Sequence, residues 1–340
     1  MIIFYPFSCI IKKSYLRLQK KRNMIKVLAN DGIHPSGQKM LEDAGFTVET
    51  DKISQSELKE GLAPYQILLV RSATKVREDL MQANPQLKIV GRAGVGLDNI
   101  DLKAAEDCKV KVINTPAASS RSVAELAVGH MLSLSRFLHF SNREMPTKGK
   151  DEFKALKKNY SKGVELKGKT IGIIGMGRIG TELAKIAVGF GMNVMAVDPN
   201  LEKVEVQLDL GSDATQSVRF DLNTVSKEAM LSKADYISIH IPSSDKPILG
   251  SKEFEAMKKG VFIINTARGG VVDELALVEA IDKGMVAGAG LDVFEGEPQP
   301  VDSVLQHPKI SLSPHTGAST VEAQERIGLE LAEQIIAFYS

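Results

Sequence analysis

Short apolar, β-branched runs alternate with helical patterns along the chain from Met24 onward. This alternation is typical of α/β folds with parallel sheets, because a crossover helix must return the chain between parallel strands. The predicted strands cover residues 25–30, 67–70, 88–91 and 111–114, and then 170–175, 193–198, 235–240, 261–266, 287–293 and 310–314. We therefore predict two lobes, each built on its own parallel sheet.

A long helix is predicted between the two groups of strands. Ser119 or Ser120 can cap its start, and apolar residues at helical spacing extend it to about Asn142. Apolar side chains, among them Phe137 and Phe140, occupy more than one face of this helix. The pattern favours a homodimer contact, and a helix buried within one chain would show the same pattern.

The helix after the last strand has nowhere to pack except on the first lobe. The chain therefore crosses between the lobes near residues 118 and 318, so that the second lobe interrupts the first. The predicted fold is α/β, with two Rossmann-like or flavodoxin-like lobes. Segment 119–317 is inserted between 24–118 and 318–340, and residues 1–23 form an N-terminal extension.

Composition is that of a folded globular protein, with 340 residues of which 43% are hydrophobic and 25% charged. The 43 basic residues are balanced by 42 acidic ones, which argues against a broadly basic nucleic-acid binder. The basic residues are unevenly placed, because residues 1–23 contain six of them and no acid. We interpret this segment as a disordered extension or the product of an upstream start codon, and a mitochondrial-type presequence is the alternative.

Cysteine and hydropathy patterns exclude further classes. Cys9 and Cys108 cannot form a disulfide framework, and no Cys/His cluster predicts a metal site. No apolar stretch approaches the roughly 18–20 residues of a membrane span. We expect a cytoplasmic protein without a membrane or nucleic-acid partner.

Residues 175–180 read GMGRIG, directly after an apolar strand and at the start of a helix. In that context Gly175 makes a tight turn, Gly177 lets the backbone approach a pyrophosphate, and Gly180 permits close helix–strand packing. Asp198 ends the next strand, where a carboxylate accepts both ribose hydroxyls of NAD and repels the 2′-phosphate of NADP. The motif therefore predicts NAD.

Polar segments follow three later strands, at the strand ends where open α/β sheets bind ligands. These segments are 265–274, 291–298 and 313–320, and they carry Arg268, Glu297 and His315. An imidazole titrates near neutral pH, and a guanidinium can hold a carboxylate in a forked geometry. The other histidines are interpreted as packing or surface residues: His34, His130, His139, His240 and His307.

This trio, with GMGRIG and Asp198, resembles the D-isomer-specific 2-hydroxyacid dehydrogenase family over essentially residues 24–340. The resemblance implies that 119–317 bind NAD, and that 24–118 with 318–340 bind substrate. It also implies that His315 moves the hydroxyl proton, Glu297 orients His315, and Arg268 grips the carboxylate or keto oxygen.

The resemblance also implies which residues contact NAD and which contact the substrate. The implied NAD contacts are Val95, Gly175, Gly177, Arg178, Ile179, Gly180, Asp198, His240, Ile241, Thr266, Ala267, Arg268, Asp292, His315 and Gly317. The implied substrate contacts are Arg71, Ser72, Ala93, Gly94, Val95, Arg268 and His315.

Two loops of the first lobe bear on the substrate. Gly94 and Gly96 flank Val95 and predict a nest of backbone amides for a carboxylate. Residues 70–76, with Arg71, and 91–101 resemble the corresponding loops of short-form D-3-phosphoglycerate dehydrogenases without regulatory domains. That likeness implies oxidation of 3-phosphoglycerate to 3-phosphohydroxypyruvate in L-serine biosynthesis.

Other functions share the same machinery. Hydroxypyruvate or glyoxylate reductase and D-lactate dehydrogenase are the nearest alternatives, with Asp198 arguing against an NADP-preferring reductase. A binding protein that senses NAD, like the corepressors built on this fold, is an alternative of another class, because such proteins keep the trio.

Overall fold

Two parallel sheets organise the chain, which confirms the α/β fold predicted from the sequence. The structure is a computed structural model that describes residues 25–211 and 216–340. Among these, the residues up to Ser119 and Ala318–Ser340 form one compact unit, and Ser120–Gly317 form the other. The extension predicted at 1–23 lies outside the described residues.

The first unit contains a five-stranded sheet in the order β2-β1-β3-β4-β5, parallel throughout. Its strands are β1 (Lys26–Ala29), β2 (Thr47–Glu49), β3 (Ile67–Val70), β4 (Ile89–Arg92) and β5 (Lys111–Asn114). Its intervening helices are α1 (Pro35–Asp43), α2 (Leu58–Gly61), α3 (Glu78–Ala83) and α4 (Leu102–Asp107). The strand order reverses between β1 and β3, the position at which open α/β sheets form a ligand crevice.

The second unit contains a six-stranded parallel sheet in the order β13-β12-β11-β10-β6-β7. Its strands are β6 (Thr170–Ile174), β7 (Asn193–Val197), β10 (Tyr236–Ile239), β11 (Val261–Asn265), β12 (Val286–Leu291) and β13 (Ile310–Leu312), and a separate pair is β8 (Lys203–Leu210) and β9 (Gln216–Asn223). Its helices are α5 (Ser120–Ser135), α6 (Leu138–Lys148), α7 (Phe153–Asn159), α8 (Arg178–Gly189), α9 (Lys227–Leu231), α10 (Ser251–Ala256), α11 (Glu274–Asp282) and α12 (Asp302–Leu305). Here the order reverses between β6 and β10.

The last helix, α13 (Val321–Phe338), belongs to the first unit. Thr320 caps its start by accepting the Ala323 amide at 3.2 Å. Ile327, Leu331 and Ile335 lie on one face and are buried in a core shared with strands β1, β3 and β4. The apolar spacing of this helix thus covers one face of the first sheet.

The prediction of a single helix from 119 to about 142 is wrong. The structure has two helices, α5 ending at Ser135 and α6 beginning at Leu138, with Phe137 between them at a φ of 56°. Phe137 packs against Tyr160, with ring centroids 5.9 Å apart, and near Phe140 at 6.5 Å. An aromatic cluster with a residue from beyond α7 therefore redirects the chain where the apolar spacing alone would continue a helix.

The antiparallel pair β8–β9 has no counterpart among the predicted elements. Its register runs from Lys203 opposite Asn223 to Leu210 opposite Gln216. Val206 is fully buried, whereas most of β9 is exposed. The alternation of apolar and polar residues in KVEVQLDL is the signal that indicates this strand pair.

Within residues 25–211 and 216–340, none of the helices has the length and apolar character needed to cross a bilayer.

Candidate active site

Three neighbouring strands of the second unit lead to the three candidate catalytic residues. Arg268 follows β11, Glu297 follows β12 and His315 follows β13, and these strands lie side by side. Because the strands are parallel, their carboxyl ends meet at one edge of the sheet. The strand order therefore places all three side chains at the same edge.

His315 and Glu297 form a hydrogen-bonded pair. The His315 Nδ1 lies 2.8 Å from the Glu297 Oε2, and Glu297 Oε1 accepts the Phe294 amide at 2.8 Å. Burial by itself would raise the pKa of Glu297, but the hydrogen bonds from His315 and Phe294 and the charge of Arg268 hold that pKa below its usual value. The ionised carboxylate orients the imidazole through Nδ1, which leaves Nε2 to face a reacting group.

Asp292 holds the segment that carries His315. Its buried carboxylate accepts the amides of Thr316 and Gly317, both at 2.8 Å, and the Ser313 hydroxyl at 2.6 Å. Its carbonyl oxygen accepts the His315 amide at 2.7 Å. His315 has a φ of 53°, in the left-handed region that few residues other than glycine adopt. These bonds to Asp292 hold the segment in that conformation, so Asp292 positions His315 in addition to the cofactor contact expected from the sequence.

A buried histidine extends this network. His130 Nε2 lies 2.9 Å from the Ser313 hydroxyl and Nδ1 lies 3.0 Å from the Ser311 hydroxyl. Because the single proton of Ser313 goes to Asp292, the Nε2 of His130 must donate to the Ser313 oxygen. Burial lowers the pKa of His130, which keeps the ring neutral for this arrangement. Sequence reasoning missed Ser313, for which the only signal was its place in the segment after β13.

Arg268 lies on a turn that touches the Glu297 segment. Asn265 Nδ2 donates to the Arg268 carbonyl oxygen at 2.8 Å, and Arg268 Nη1 donates to the Ala267 carbonyl oxygen at 2.6 Å. The next residue, Gly269, has no room for a Cβ, which would overlap the backbone of Phe294. Glycine at this position is therefore what lets the Arg268 and Glu297 segments pack against each other.

The glycine-rich turn lies between β6 and α8, at the point where the strand order reverses. Gly175 has a φ of 92°, and a Cβ there would lie 2.5 Å from the His240 carbonyl oxygen. A Cβ on Gly180 would overlap the Gly175 carbonyl oxygen, whereas a Cβ on Gly177 would meet nothing within 4 Å. The space beside Gly177 is therefore empty. Gly177 precedes Arg178 and Ile179 at the start of α8, where no side chain caps the helix.

Asp198 lies beside this turn, one strand further along the sheet. Its Oδ2 accepts the Met176 amide at 3.0 Å and its Oδ1 accepts the Asn200 amide at 3.0 Å. Each carboxylate oxygen can accept a second hydrogen bond, so Asp198 can also bind a pair of ribose hydroxyls.

The segments after β10 and β11 adjoin the same edge. His240 is buried, and burial lowers its pKa to about 3, so that the ring is neutral. Ile241 follows it and faces Gly175. Within the described residues the buried Thr266 hydroxyl has no hydrogen-bond partner, and it precedes Ala267 and Arg268 in the turn. An unsatisfied buried hydroxyl at this edge is available to a ligand.

These features together fit a dinucleotide. An uncapped helix start, an open glycine and an acid at the next strand end are the groups that bind a pyrophosphate and an adenosine ribose. No group of three potential metal-ligating side chains occurs among residues 25–211 and 216–340.

In the first unit, Arg71 lies at the point where that sheet reverses its strand order. It lines a cavity of about 430 Å³ that also contains Lys52 and Ser72. The buried Asp31 carboxylate accepts the amides of Arg71 at 2.8 Å and Thr74 at 3.1 Å. Asp31 therefore fixes the backbone of the Arg71 loop, and Lys52 joins this cavity although sequence reasoning did not single it out.

The loop after β4 departs in part from the predicted nest. The Ala93 amide donates to Val70 at 2.8 Å and the Gly94 amide to Arg92 at 2.9 Å. Those two amides already donate hydrogen bonds to backbone carbonyl oxygens and are not available to a ligand. A carboxylate nest at this loop must use the amides that follow, at Val95 and Gly96.

Comparison with known proteins gives concordant results. Residues 128–317 match the family model for the D-isomer specific 2-hydroxyacid dehydrogenase, NAD binding domain. The hydroxypyruvate reductase of Thermotoga maritima is 42% identical over 318 residues, which cover 91% of this chain and 97% of that enzyme. The D-3-phosphoglycerate dehydrogenase of Methanocaldococcus jannaschii is 40% identical over 314 residues, covering 92% of this chain. The chain spans 57% of the length of that second relative.

A solved structure shows the same likeness. The glyoxylate reductase from Paecilomyes thermophila has a TM-score of 0.76 and 28% identity, and the similarity covers 93% of this chain and 95% of that one. The matched NAD binding domain, with the geometry around Gly177 and Asp198, identifies NAD(H) as the cofactor.

The Asp198→Ala variant tests the ribose contact. Loss of the carboxylate removes hydrogen bonds to the ribose, so we expect the NADH dissociation constant to rise about tenfold. The affinity for NADPH should change less, because the repulsion of the 2′-phosphate disappears at the same time. Fluorescence titration with both nucleotides measures the two effects.

The exposed Asp209 on β8 supplies the matched control, since Asp209→Ala removes the same charge elsewhere. An equal loss of affinity for NADH and NADPH in Asp198→Ala would indicate a disturbed glycine turn and would contradict the ribose contact.

Proposed function

Because the chain belongs to the D-isomer specific 2-hydroxyacid dehydrogenase family, we propose that it uses NAD to oxidise D-3-phosphoglycerate to 3-phosphohydroxypyruvate. This reaction is the first step of the phosphorylated route to L-serine. The observation that carries the choice of substrate is the cavity that holds Arg71 and Lys52.

Proton transfer is assigned to His315. Bound NAD⁺ supplies the two-electron oxidant, accepting a hydride from C2 of the hydroxy acid. Glu297 keeps Nδ1 of His315 as a hydrogen-bond donor, so the Nε2 lone pair takes the hydroxyl proton as the keto group forms. In the reverse direction the imidazolium returns this proton, and the Glu297 carboxylate stabilises that charged form.

Arg268 is assigned to the substrate carboxylate or keto oxygen. Its guanidinium offers a fork of donors that remains charged at every physiological pH. Arg268 lies close enough to Glu297 for its charge to lower the pKa of that carboxyl. One side chain thus binds the anionic substrate and keeps the partner of His315 ionised.

The phosphate is assigned to Arg71 and Lys52. Their cavity contains one carboxylate, Asp31, whose oxygens accept bonds from the Arg71 and Thr74 amides and the Thr74 hydroxyl and whose Oδ1 lies 3.6 Å from the Lys52 Nζ. Two cations that share one carboxylate leave a net positive charge in the cavity, which suits a dianionic group.

Hydroxypyruvate reduction is the second candidate. It is favoured by the relative from Thermotoga maritima, which the chain matches over nearly its whole length. Hydroxypyruvate lacks the phosphate, so the two candidates differ in the need for Arg71 and Lys52.

A substrate panel distinguishes them. With NADH we expect kcat/KM for phosphohydroxypyruvate to exceed that for hydroxypyruvate, glyoxylate and pyruvate by about tenfold or more. Arg71→Ala should raise KM about tenfold for phosphohydroxypyruvate and less than about threefold for glyoxylate, because only the former offers a phosphate to Arg71. Steady-state kinetics on the four acids measure both.

Arg77→Ala is the matched control, since Arg77 is exposed and close in sequence to Arg71. If hydroxypyruvate is the best substrate and Arg71→Ala leaves its kinetics unchanged, the first proposal is wrong and the second is supported.

His315→Asn tests the proton transfer. General acid–base catalysis contributes roughly 10²–10⁴-fold, so we expect kcat to fall by that factor while NADH affinity stays the same. His307→Asn is the control, because His307 precedes β13 and lies at the opposite end of the strand, beside Asp282. A loss of kcat smaller than about threefold would mean that another group moves the proton.

A homodimer completes the proposal. Leu138 and Met145 on α6 and Phe153 on α7 are 53%, 42% and 57% exposed, an apolar surface that a second copy would cover. Sedimentation velocity should show a dimer, and Leu138→Glu with Met145→Glu should shift it toward monomer. A monomeric wild-type protein would contradict this.

A further inference from the structure

Glu274, the first residue of α11, is a buried carboxyl group that the proposed reaction does not use. It is only 3% exposed. Its Oε1 accepts the Glu295 amide at 2.6 Å. Its Oε2 is buried and, within the described residues, has no hydrogen-bond partner. A half-satisfied buried carboxyl group costs stability, so its surroundings need an explanation.

Those surroundings are mostly acidic. Burial, and then the nearby charges of Glu295, Glu297 and Asp273, raise the pKa of Glu274 to about 7, although the Glu295 amide opposes the shift. The positive charges of Arg268 and His315 act on the neighbouring Glu297. Glu274 therefore changes its charge in the pH range in which an unperturbed imidazole titrates.

The segment that Glu274 holds is the one that carries Glu297. Residues 295–299 are exposed, so little packing fixes them. The start of the segment is fixed at three points: Gly269 lies against the Phe294 backbone, Glu297 Oε1 accepts the Phe294 amide, and Glu274 accepts the Glu295 amide. The Glu274 contact ties the segment after β12 to the helix that follows the Arg268 turn.

We propose that Glu274 is a positioning residue for the Glu297–His315 pair, because its buried carboxyl group holds the Glu295 amide, two residues before Glu297. The hydrogen bond sets where Glu297 stands, and hence where it aims His315. The negative charge of Glu274, when present, acts on the Glu297 carboxyl group, the partner of His315. This inference rests on the proposed roles of Glu297 and His315.

Two conservative variants separate the hydrogen bond from the charge. Glu274→Gln keeps an oxygen acceptor for the Glu295 amide and cannot ionise. Glu274→Asp keeps the charge but draws the acceptor back by one methylene, out of reach of that amide. The exposed Glu279, on the same helix, provides the control variant Glu279→Gln.

The expected results differ between the variants. In the reduction of the best keto acid, Glu274→Gln should keep kcat within about threefold at pH 6. The alkaline limb of its kcat/KM profile should move down by about 0.5 pH unit, because a negative charge near the Glu297–His315 pair is missing. Glu274→Asp should keep that limb in place and lose about tenfold in kcat, with little change in NADH affinity.

A stability measurement gives a readout apart from activity. The pKa of Glu274 is raised in the folded protein, so the folded state binds more protons than the unfolded state between about pH 4.5 and 7. The contribution of Glu274 to wild-type stability therefore falls as the pH rises through this range, and most of the loss has occurred at about pH 7. The melting temperature of Glu274→Gln relative to wild type should rise from pH 5 to pH 8, and that of Glu279→Gln should not.

Three outcomes would overturn the inference: wild-type kcat and pH profile in both Glu274 variants, an equal shift of the limb in Glu279→Gln, or a melting-temperature difference for Glu274→Gln that does not change with pH. His315→Asn, measured in parallel, separates this result from the proposed function. If His315→Asn retains activity, the proposed role of His315 fails. If it is inactive while the Glu274 variants match wild type, only the role of Glu274 fails.

Discussion

The buried carboxylate of Asp292 is the constraint on which the candidate site depends. It accepts two backbone amides and a serine hydroxyl from the segment after β13, and its carbonyl oxygen accepts the His315 amide. A carboxylate buried at 1% exposure must be satisfied by such donors, so the segment cannot relax without a large cost. His315 can therefore hold a left-handed backbone conformation that a less constrained loop would abandon.

The parallel sheet of the second unit brings the His315 segment together with the other residues of the candidate site. Strand order alone puts the Arg268, Glu297 and His315 segments side by side, with the glycine turn and Asp198 further along the same edge. Gly269 lies against the Phe294 backbone, where a larger residue would not fit, because a Cβ would overlap that backbone. Cofactor and proton-transfer groups thus share one rigid support, which reduces the cost of holding them in register.

The chain as a whole is almost neutral, but charged groups are concentrated at particular places in each unit. In the second unit, the carboxyl groups of Glu295, Glu297 and Asp273 surround Glu274, and the charges of Arg268 and His315 act on Glu297. In the first unit, Arg71 and Lys52 lie beside the Asp31 carboxylate, which accepts two backbone amides and forms an ion pair with Lys52 at 3.6 Å. An anionic substrate needs such local cations, because a net charge near zero gives little attraction at a distance.

The sequence by itself determined the features that depend on local order: alternating strands and helices, the GMGRIG turn, and polar residues directly after strands. The end of a parallel strand is a fixed place in the fold, so the order of residues along the chain is enough to locate Arg268, Glu297 and His315. Only the tertiary structure decided the break at Phe137, the partnership of Asp292 with residues 313–317, the Glu274 contact to Glu295, and the presence of Lys52 beside Arg71. These contacts, including that between Phe137 and Tyr160, join residues about 20 or more positions apart. Whether such residues meet is decided by strand order and packing, which local periodicity does not encode.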